Sequence, residues 1–144
     1  MKKVYLLFVG LCFAGSTWAD GHEGKLSFEE RQASTPMTVT SVNLYQGGGT
    51  ITAEGDMGEY GRAYLTYTLT ADANGTGGTV IGEGRGAMPD GVFASGSGTG
   101  AYYRDGTTFT MHVIFRINDG TQNFDKIVFD AYTRELTHDA YILK

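Results

Sequence analysis

The chain has 144 residues, of which 41% are hydrophobic and 22 are glycine, and its formal net charge is −5. This length is enough for one domain with its own hydrophobic core. The acidic balance excludes nucleic acid and anionic membrane surfaces as expected partners, because phosphate binding requires a basic patch.

The first residues follow the pattern of a secretory signal peptide. Lys2 and Lys3 precede an apolar stretch over 4–14, and small residues then lead to a cleavage site after Ala19. The apolar stretch is shorter than the ~20 residues that a spanning helix needs, and no second one follows, so we predict no membrane span. The short basic start is typical of bacteria and predicts a periplasmic or secreted protein. We divide the chain into a cleaved signal (1–19), a flexible tail (20–24) and one β domain (25–144).

Cleavage at this point narrows the available chemistry. It removes two lysines and Cys12, the single cysteine of the chain. The mature domain is therefore more acidic than the whole chain and has no disulfide, thiol nucleophile or thiolate ligand. We expect no cofactor.

One metal-binding possibility arises at the new terminus, where Asp20-Gly21-His22 would follow the cut. A free amine, two amides and the imidazole of His22 form a square-planar set of nitrogens that suits Cu(II) or Ni(II). Elsewhere we predict no metal site, because His22, His112 and His138 lack the spacing of metal ligands.

The remaining sequence predicts strands joined by short turns. Apolar and polar residues alternate with period two, and Thr, Tyr, Val, Ile and Phe dominate the ordered stretches. Asn74-Gly75 is a strong hairpin signal because both residues tolerate positive φ. The predicted strands are, in chain order, 25–31, 37–45, 50–56, 62–71, 79–87, 92–103, 107–118, 124–133 and 136–143.

Short connections between consecutive strands favour an all-β fold, a single antiparallel up-and-down barrel of about eight strands. Closing the sheet removes exposed strand edges. A two-sheet β-sandwich is the alternative architecture, and a helix over 124–136 is the alternative for that segment.

Two glycine trios alternate along neighbouring strands: Gly82, Gly84 and Gly86, then Gly96, Gly98 and Gly100. Period two places each trio on one face of its strand. Glycine weakens a strand, so something must compensate. Steep curvature of a barrel wall, aromatic rings lying over bare backbone, or a ligand close to the wall would each do so, and we favour the two structural explanations.

The segment from Gly82 to Asp105, GEGRGAMPDGVFASGSGTGAYYRD, resembles the allene-oxide-cyclase and dirigent-like barrels, which include exported bacterial members. The resemblance rests on Gly-x-Gly strands, an Asp-Gly turn and an aromatic strand that ends in Arg-Asp-Gly. It implies an eight-stranded barrel, often oligomeric, with a small hydrophobic ligand in the lumen. Some members of that group direct a cyclisation or coupling without a cofactor. None of their catalytic residues is carried over to this chain.

Three residues are candidates for catalysis. Glu83 and Arg85 share the face opposite the first glycine trio. If that face lines a lumen they form a buried acid–base pair able to orient or protonate a ligand, and if it faces solvent they are an ordinary surface pair. The surface interpretation is the favoured one. His112 could serve as a general base near neutral pH.

Polar and aromatic side chains near these strands are candidates for ligand binding. For the tyrosines, packing over glycine with the hydroxyl in water is the competing interpretation. Gly96-Ser97-Gly98 lies within a strand pattern, so the sequence does not predict a serine hydrolase. The ligand-binding candidates are Arg62, Tyr64, Tyr102, Tyr103, Arg104 and Arg116.

Two functions remain open from the sequence. The first is a barrel that binds a small hydrophobic or aromatic molecule in its lumen, with or without cofactor-free isomerase, cyclase or lyase activity, and it predicts an apolar lumen with a few polar groups at one end. The second is a non-enzymatic periplasmic or secreted interaction module, with a homo-oligomer as one form, and it predicts a lumen filled by side chains.

Overall fold

The computed structural model describes residues 24–144 and shows nine β-strands with one short 3₁₀ turn. The predicted signal peptide, most of the predicted tail and His22 lie outside the described residues. Within residues 24–144, no helix is long and apolar enough to span a membrane. The elements are β1 (Phe28–Glu30), β2 (Thr35–Tyr45), β3 (Gly48–Asp56), the 3₁₀ turn (Gly58–Tyr60), β4 (Arg62–Ala71), β5 (Gly77–Ala87), β6 (Phe93–Asp105), β7 (Thr108–Ile117), β8 (Gln122–Asp130) and β9 (Glu135–Leu143).

Strands β2 to β9 form a closed antiparallel barrel in which each strand pairs with its neighbour in sequence. The barrel closes where Thr35–Thr38 of β2 pairs with Glu135–His138 of β9. Strand β1 adds to the other half of β9, opposite Tyr141–Leu143. The predicted all-β, eight-stranded, up-and-down barrel is confirmed, and the sandwich alternative is wrong.

The strand limits follow the predictions closely, and β4 matches them at both ends. Pairing continues into turn glycines, so that β3 begins at Gly48 and β5 at Gly77. Strand β1 is shorter than predicted because three of its residues pair with β9. The alternative helix over 124–136 is wrong, since β8 and the start of β9 occupy that segment. Strand β8 pairs with β7 on one side and with β9 on the other, which excludes a helix there.

The lumen is filled mainly by apolar side chains that the period-two pattern turns inward. Leu65, Tyr67 and Leu69 of β4 and Met111, Val113 and Phe115 of β7 are each at most 9% exposed. The sequence alone leaves open whether these two sets fill the lumen or bind a neighbouring molecule, and the structure places them in the lumen. Burial of their apolar area in the lumen is what holds the barrel walls together.

The alternating glycines have the structural causes that the sequence suggested. The ring of Phe115 lies where a side chain at Gly82 would stand, which is the predicted aromatic cover. A Cβ at Gly98 or Gly100 would collide with backbone of the neighbouring strand β7, at the carbonyls of Ile114 and His112. Tight wall curvature thus requires glycine at these two positions. Gly84 and Gly96 instead border a cavity.

Candidate functional site

A cavity of about 50 Å³ lies at one end of the lumen, where β3, β5 and β7 end and β4, β6 and β8 begin. Several residues of its lining are small: Gly84, Gly86 and Gly96 contribute only backbone, and Ala63 and Ala94 contribute single methyl groups. The rest of its lining is Met57, Tyr60, Leu65, Arg85, Ser95, Phe115, Ile117, Asn123, Asp125 and His138.

Three polar side chains from three strands form a hydrogen-bonded row beside this cavity. His138 Nε2 lies 2.8 Å from Asp125 Oδ2, and His138 Nδ1 lies 2.8 Å from the Tyr67 hydroxyl. Tyr67, Asp125 and His138 are 0, 4 and 1% exposed. Strands β4, β8 and β9 place them together because each residue occupies an inward position of its strand.

Both hydrogen bonds of His138 can form in either charge state of the imidazole. With a neutral imidazole, Nε2–H donates to the carboxylate of Asp125 and Nδ1 accepts from the Tyr67 O–H. With a protonated imidazole, both ring nitrogens donate, and Asp125 and His138 form a buried ion pair. The second oxygen of the carboxylate, Asp125 Oδ1, has no hydrogen-bond partner among the described residues and is buried.

A second polar pair stands beside the row. Asn123 Nδ2 donates to the Tyr60 hydroxyl at 2.8 Å, and Asn123 is 1% exposed. Asn123 Oδ1 also lacks a partner among residues 24–144. Asn123 and Asp125 both line the cavity, and each has one buried acceptor oxygen without a partner among the described residues. An unpaired buried acceptor costs stability unless a ligand or a water donates to it.

The 3₁₀ turn Gly58–Tyr60 covers this end of the barrel. Tyr60 and Met57 are buried beneath it, and Gly58 and Gly61 adopt positive φ of 54° and 64°. The Arg31 guanidinium lies 4.8 Å from the centroid of the Tyr60 ring and forms an ion pair with Glu59. The cap is thus held by one cation–π contact and one partly exposed ion pair.

Burial changes the acidity of both tyrosines at this end. Desolvation raises the pKa of Tyr67 well above its ordinary value of 10.0, and the nearby Asp125 charge raises it further. Desolvation also raises the pKa of Tyr60, against the hydrogen bond from Asn123, which lowers it. Both phenols therefore stay protonated at neutral pH and remain able to donate a hydrogen bond.

Among residues 24–144, no group of three or more His, Cys, Asp or Glu side chains is arranged to hold a metal ion. The copper or nickel site predicted at His22 lies outside the described residues.

The three catalytic candidates from the sequence lie on the outer face of the barrel. Glu83 and Arg85 are exposed, and the Arg85 guanidinium lies 5.7 Å from the centroid of the Phe93 ring. His112 is half-buried on the outside, where its ring stacks on Phe124 at a centroid distance of 5.6 Å. The favoured surface interpretation describes where the side chains of Glu83 and Arg85 lie. Glu83 and His112 do not reach the lumenal cavity, and Arg85 borders it while its side chain is exposed on the outer surface.

The ligand-binding candidates are dispersed, except that Tyr64 lines an open depression on the outer face together with Glu83 and Arg85. Arg62 pairs with Glu54 at 2.7 Å on the surface, and Tyr64 and Tyr103 are 50 and 55% exposed. Arg104 donates to the carbonyl oxygens of Gly106 and Gly75, which joins two hairpin loops. Arg116 is exposed on the outer face opposite Ser97.

Tyr102 is the one ligand-binding candidate that points into the lumen, but at the end away from the cavity. It is 7% exposed, and its ring centroid lies 5.9 Å from that of Phe109. Its burial raises the pKa of its hydroxyl.

Sequence reasoning missed Asn123, Asp125 and His138. The signal that could have found them is phase: Asn123 and Asp125 share the period of Ile127, and His138 shares the period of Leu136. Polar residues in phase with core positions of a strand must be buried, and buried polar groups need partners.

The chain was compared with known proteins by sequence and by structure. No family model matches it, no curated protein matches it, and no solved structure matches it. The resemblance to allene-oxide-cyclase and dirigent-like barrels therefore stays a prediction.

Proposed function

We propose that this protein is a binding barrel for a small molecule, which it holds at the polar end of its lumen against Asp125. The observation that carries the proposal is the buried, unpartnered Oδ1 of Asp125, a residue that lines a cavity of about 50 Å³. A carboxylate oxygen in such a place is satisfied only by a donor that enters the cavity.

The shape of the cavity supports this proposal and limits the ligand. Pockets for drug-sized ligands measure roughly 300–1,000 Å³, so this cavity accepts only a few heavy atoms unless the cap moves. The glycine and alanine residues of the lining leave the space open, because none of them places a long side chain in it. The proposal thus replaces the broad hydrophobic or aromatic ligand of the sequence analysis by a small one with a hydrogen-bond donor.

The same geometry supports cofactor-free proton transfer as the stronger form of the proposal. Asp125 Oδ1 is placed to accept a proton from a ligand, while His138 holds the other carboxylate oxygen and Tyr67 fixes the imidazole. The Tyr60 hydroxyl borders the same cavity and keeps its proton at neutral pH. A base and an acid on one small cavity are the groups that an isomerase needs to move a proton between two ligand atoms.

The test uses three probes: ethylammonium, ethanol and phenol. Each is titrated into uniformly ¹⁵N-labelled protein, and amide shifts at the cavity are followed. We expect at least one probe to shift the amides of Gly84, Gly96 and Asp125 with saturation. In Ala94→Leu, which fills the cavity, saturable binding should disappear, whereas the matched outer-face variant Ala101→Leu should bind as the wild type does.

Two results would count against a binding barrel. If none of the probes shifts the cavity amides, the space holds only water. If Ala94→Leu binds as well as Ala101→Leu, the probes bind elsewhere.

A second function, a non-enzymatic interaction module, is favoured by a different observation. Most of the lumen is filled, and several large apolar side chains are exposed on the outer face of β4–β7, namely Tyr64, Ile81, Phe93, Tyr103 and Ile114. Exposed apolar residues on one wall are typical of surfaces that bind other proteins. A sedimentation experiment would support this function if the protein self-associated and Ile114→Glu made it monomeric.

A further inference from the structure

We propose that the cavity at Asp125 selects a small organic ammonium ion, a protonated primary amine with a short aliphatic group. This inference rests on the proposed function and names the chemical class of its ligand. It follows from the hydrogen-bonding inventory of the cavity, the character of its walls and the charge of the protein.

The first argument is the number of free acceptors. Asp125 Oδ1 and Asn123 Oδ1 are both buried without partners, and residues 123 and 125 lie on the same inward face of β8. A ligand that satisfies both must present at least two donors. A primary ammonium group carries three N–H donors and no acceptor, whereas an alcohol carries one donor.

The second argument is charge. Asp125 is 4% exposed, and its one ionic partner within residues 24–144 is the imidazole of His138, which can neutralise it only when protonated. A buried carboxylate without a counter-charge is unfavourable, because it loses its hydration without gaining an opposite charge. A bound ammonium supplies that counter-charge without requiring a protonated imidazole, and both imidazole nitrogens keep their hydrogen bonds. Arg85 also borders the cavity, but its side chain is exposed on the outer surface.

Away from Asn123 and Asp125, much of the cavity lining is apolar. Leu65, Phe115 and Ile117 present apolar surface to the cavity. An alkyl group packs against such walls. A bare metal ion would meet few oxygen ligands here, whereas an ammonium ion with a short alkyl tail fits both parts of the lining.

The net charge of the protein acts in the same direction. The whole chain carries −5. A negative field raises the local concentration of cations and the rate at which they arrive. It does not select an organic cation over an inorganic one, so the selection must come from the cavity.

The experiment compares ethylammonium with ethanol, its neutral near-isostere, and with potassium, an inorganic cation. All three are titrated into the protein without its predicted signal peptide (residues 20–144) at one ionic strength, and the amide shifts of Gly84, Gly96 and Asp125 are followed. We expect ethylammonium to bind at least ~10-fold more tightly than ethanol, and potassium not to compete with it. This comparison needs no variant and does not depend on a variant being folded.

Two matched variants then locate the ion. Asp125→Asn removes the buried charge and should weaken ethylammonium binding at least ~10-fold while leaving ethanol binding within ~2-fold. Asp105→Asn removes an exposed charge at the far end of β6 and should change neither affinity. Thermal unfolding should show that both variants remain folded.

The outcomes separate this inference from the proposed function. If ethanol or phenol saturates the cavity and ethylammonium binds no better, the ammonium class is wrong and the binding barrel stands. If potassium displaces ethylammonium at equal concentration, or Asp125→Asn binds it as tightly as Asp105→Asn, the cavity does not select an organic ammonium. If no probe reaches the cavity, the inference and the proposed function both fail.

Discussion

The two ends of the barrel lumen are built from the same strands but differ in their contents. The far end is filled by large apolar side chains, and Phe109 lies between Tyr102 and Phe129 with ring centroids 5.9 and 6.0 Å away. The other end has glycine and alanine walls, a cavity of about 50 Å³ and five polar side chains, namely Tyr60, Tyr67, Asn123, Asp125 and His138.

The filled end of the lumen stabilises the barrel, whereas the polar end holds the groups that can act on a ligand. Filling at the far end buries apolar area without polar cost, which stabilises the barrel. The polar end loses that contribution and holds a charge in a low-dielectric interior, an arrangement that natural proteins keep mainly at functional sites. Four changes would break or sharpen this comparison.

The largest expected loss is at the filled end. Phe129→Ala should lower the free energy of unfolding by about 3–5 kcal/mol, because it removes a fully buried ring and leaves a cavity. The matched variant Phe93→Ala, at a 54% exposed ring, should cost less than ~1 kcal/mol. Urea denaturation measures both. Equal losses would mean that the far end is not the stabilising core.

At the polar end the main cost should come from an unpaired charge. His138→Leu leaves Asp125 buried without its partner and should cost about 3–5 kcal/mol at pH 7 by urea denaturation.

The double variant His138→Leu/Asp125→Leu removes both charged groups and should recover much of that loss, since apolar replacements of a buried pair are often neutral. A double variant that is as unstable as the single one would show that volume, not charge, dominates at this end.

Replacement of a wall glycine by alanine should cost more where the new Cβ meets backbone than where it meets the end of a flexible side chain. Gly100→Ala pushes a Cβ into the His112 carbonyl, and backbone cannot yield easily, so it should cost about 1–3 kcal/mol. Gly84→Ala meets the movable end of Leu65 beside the cavity and should cost less than ~1 kcal/mol. Thermal unfolding of the two variants checks the order, and a reversed order would contradict the proposed role of wall curvature.

The smallest effect concerns the hydroxyl of Tyr67. Tyr67→Phe should cost about 1 kcal/mol at neutral pH, the typical value of one buried hydrogen bond. Because burial raises the folded-state pKa of Tyr67 above 10.0, the unfolded chain loses this proton first as the pH rises past 10. The stability contributed by the neutral phenol is complete below pH 10 and falls above it by ~1.4 kcal/mol per pH unit.

Comparison of the wild type with Tyr67→Phe isolates the effect of the Tyr67 hydroxyl, because Tyr60 and Tyr102, whose pKa values are also raised, remain in both proteins. Urea denaturation from pH 9 to pH 11.5 should show a shallower fall for Tyr67→Phe. Parallel curves would mean that Tyr67 ionises freely in the folded protein.

The sequence predicts the barrel well because its signals are local. Alternation along 62–71 and 107–118 shows which residues share a face, and turn residues such as Asn74-Gly75 set the order of the hairpins. The candidate site was not predicted for a related reason. Glu83, Arg85 and His112 attract attention as chemical groups, but their strand phase turns them outward, opposite the inward glycines.

The amino-acid sequence by itself determined an all-β chain, the number and limits of most strands, and which residues of β4 and β7 share a face, since these depend on neighbours one or two residues apart. Only the tertiary structure decided that the sheet closes and that Asp125, His138 and Tyr67 meet. Tyr67 and His138 are 71 positions apart in the chain, and their contact depends on barrel closure and on the register of every strand between them. Neither is encoded in any one segment, because both arise when the strands pack around a common core.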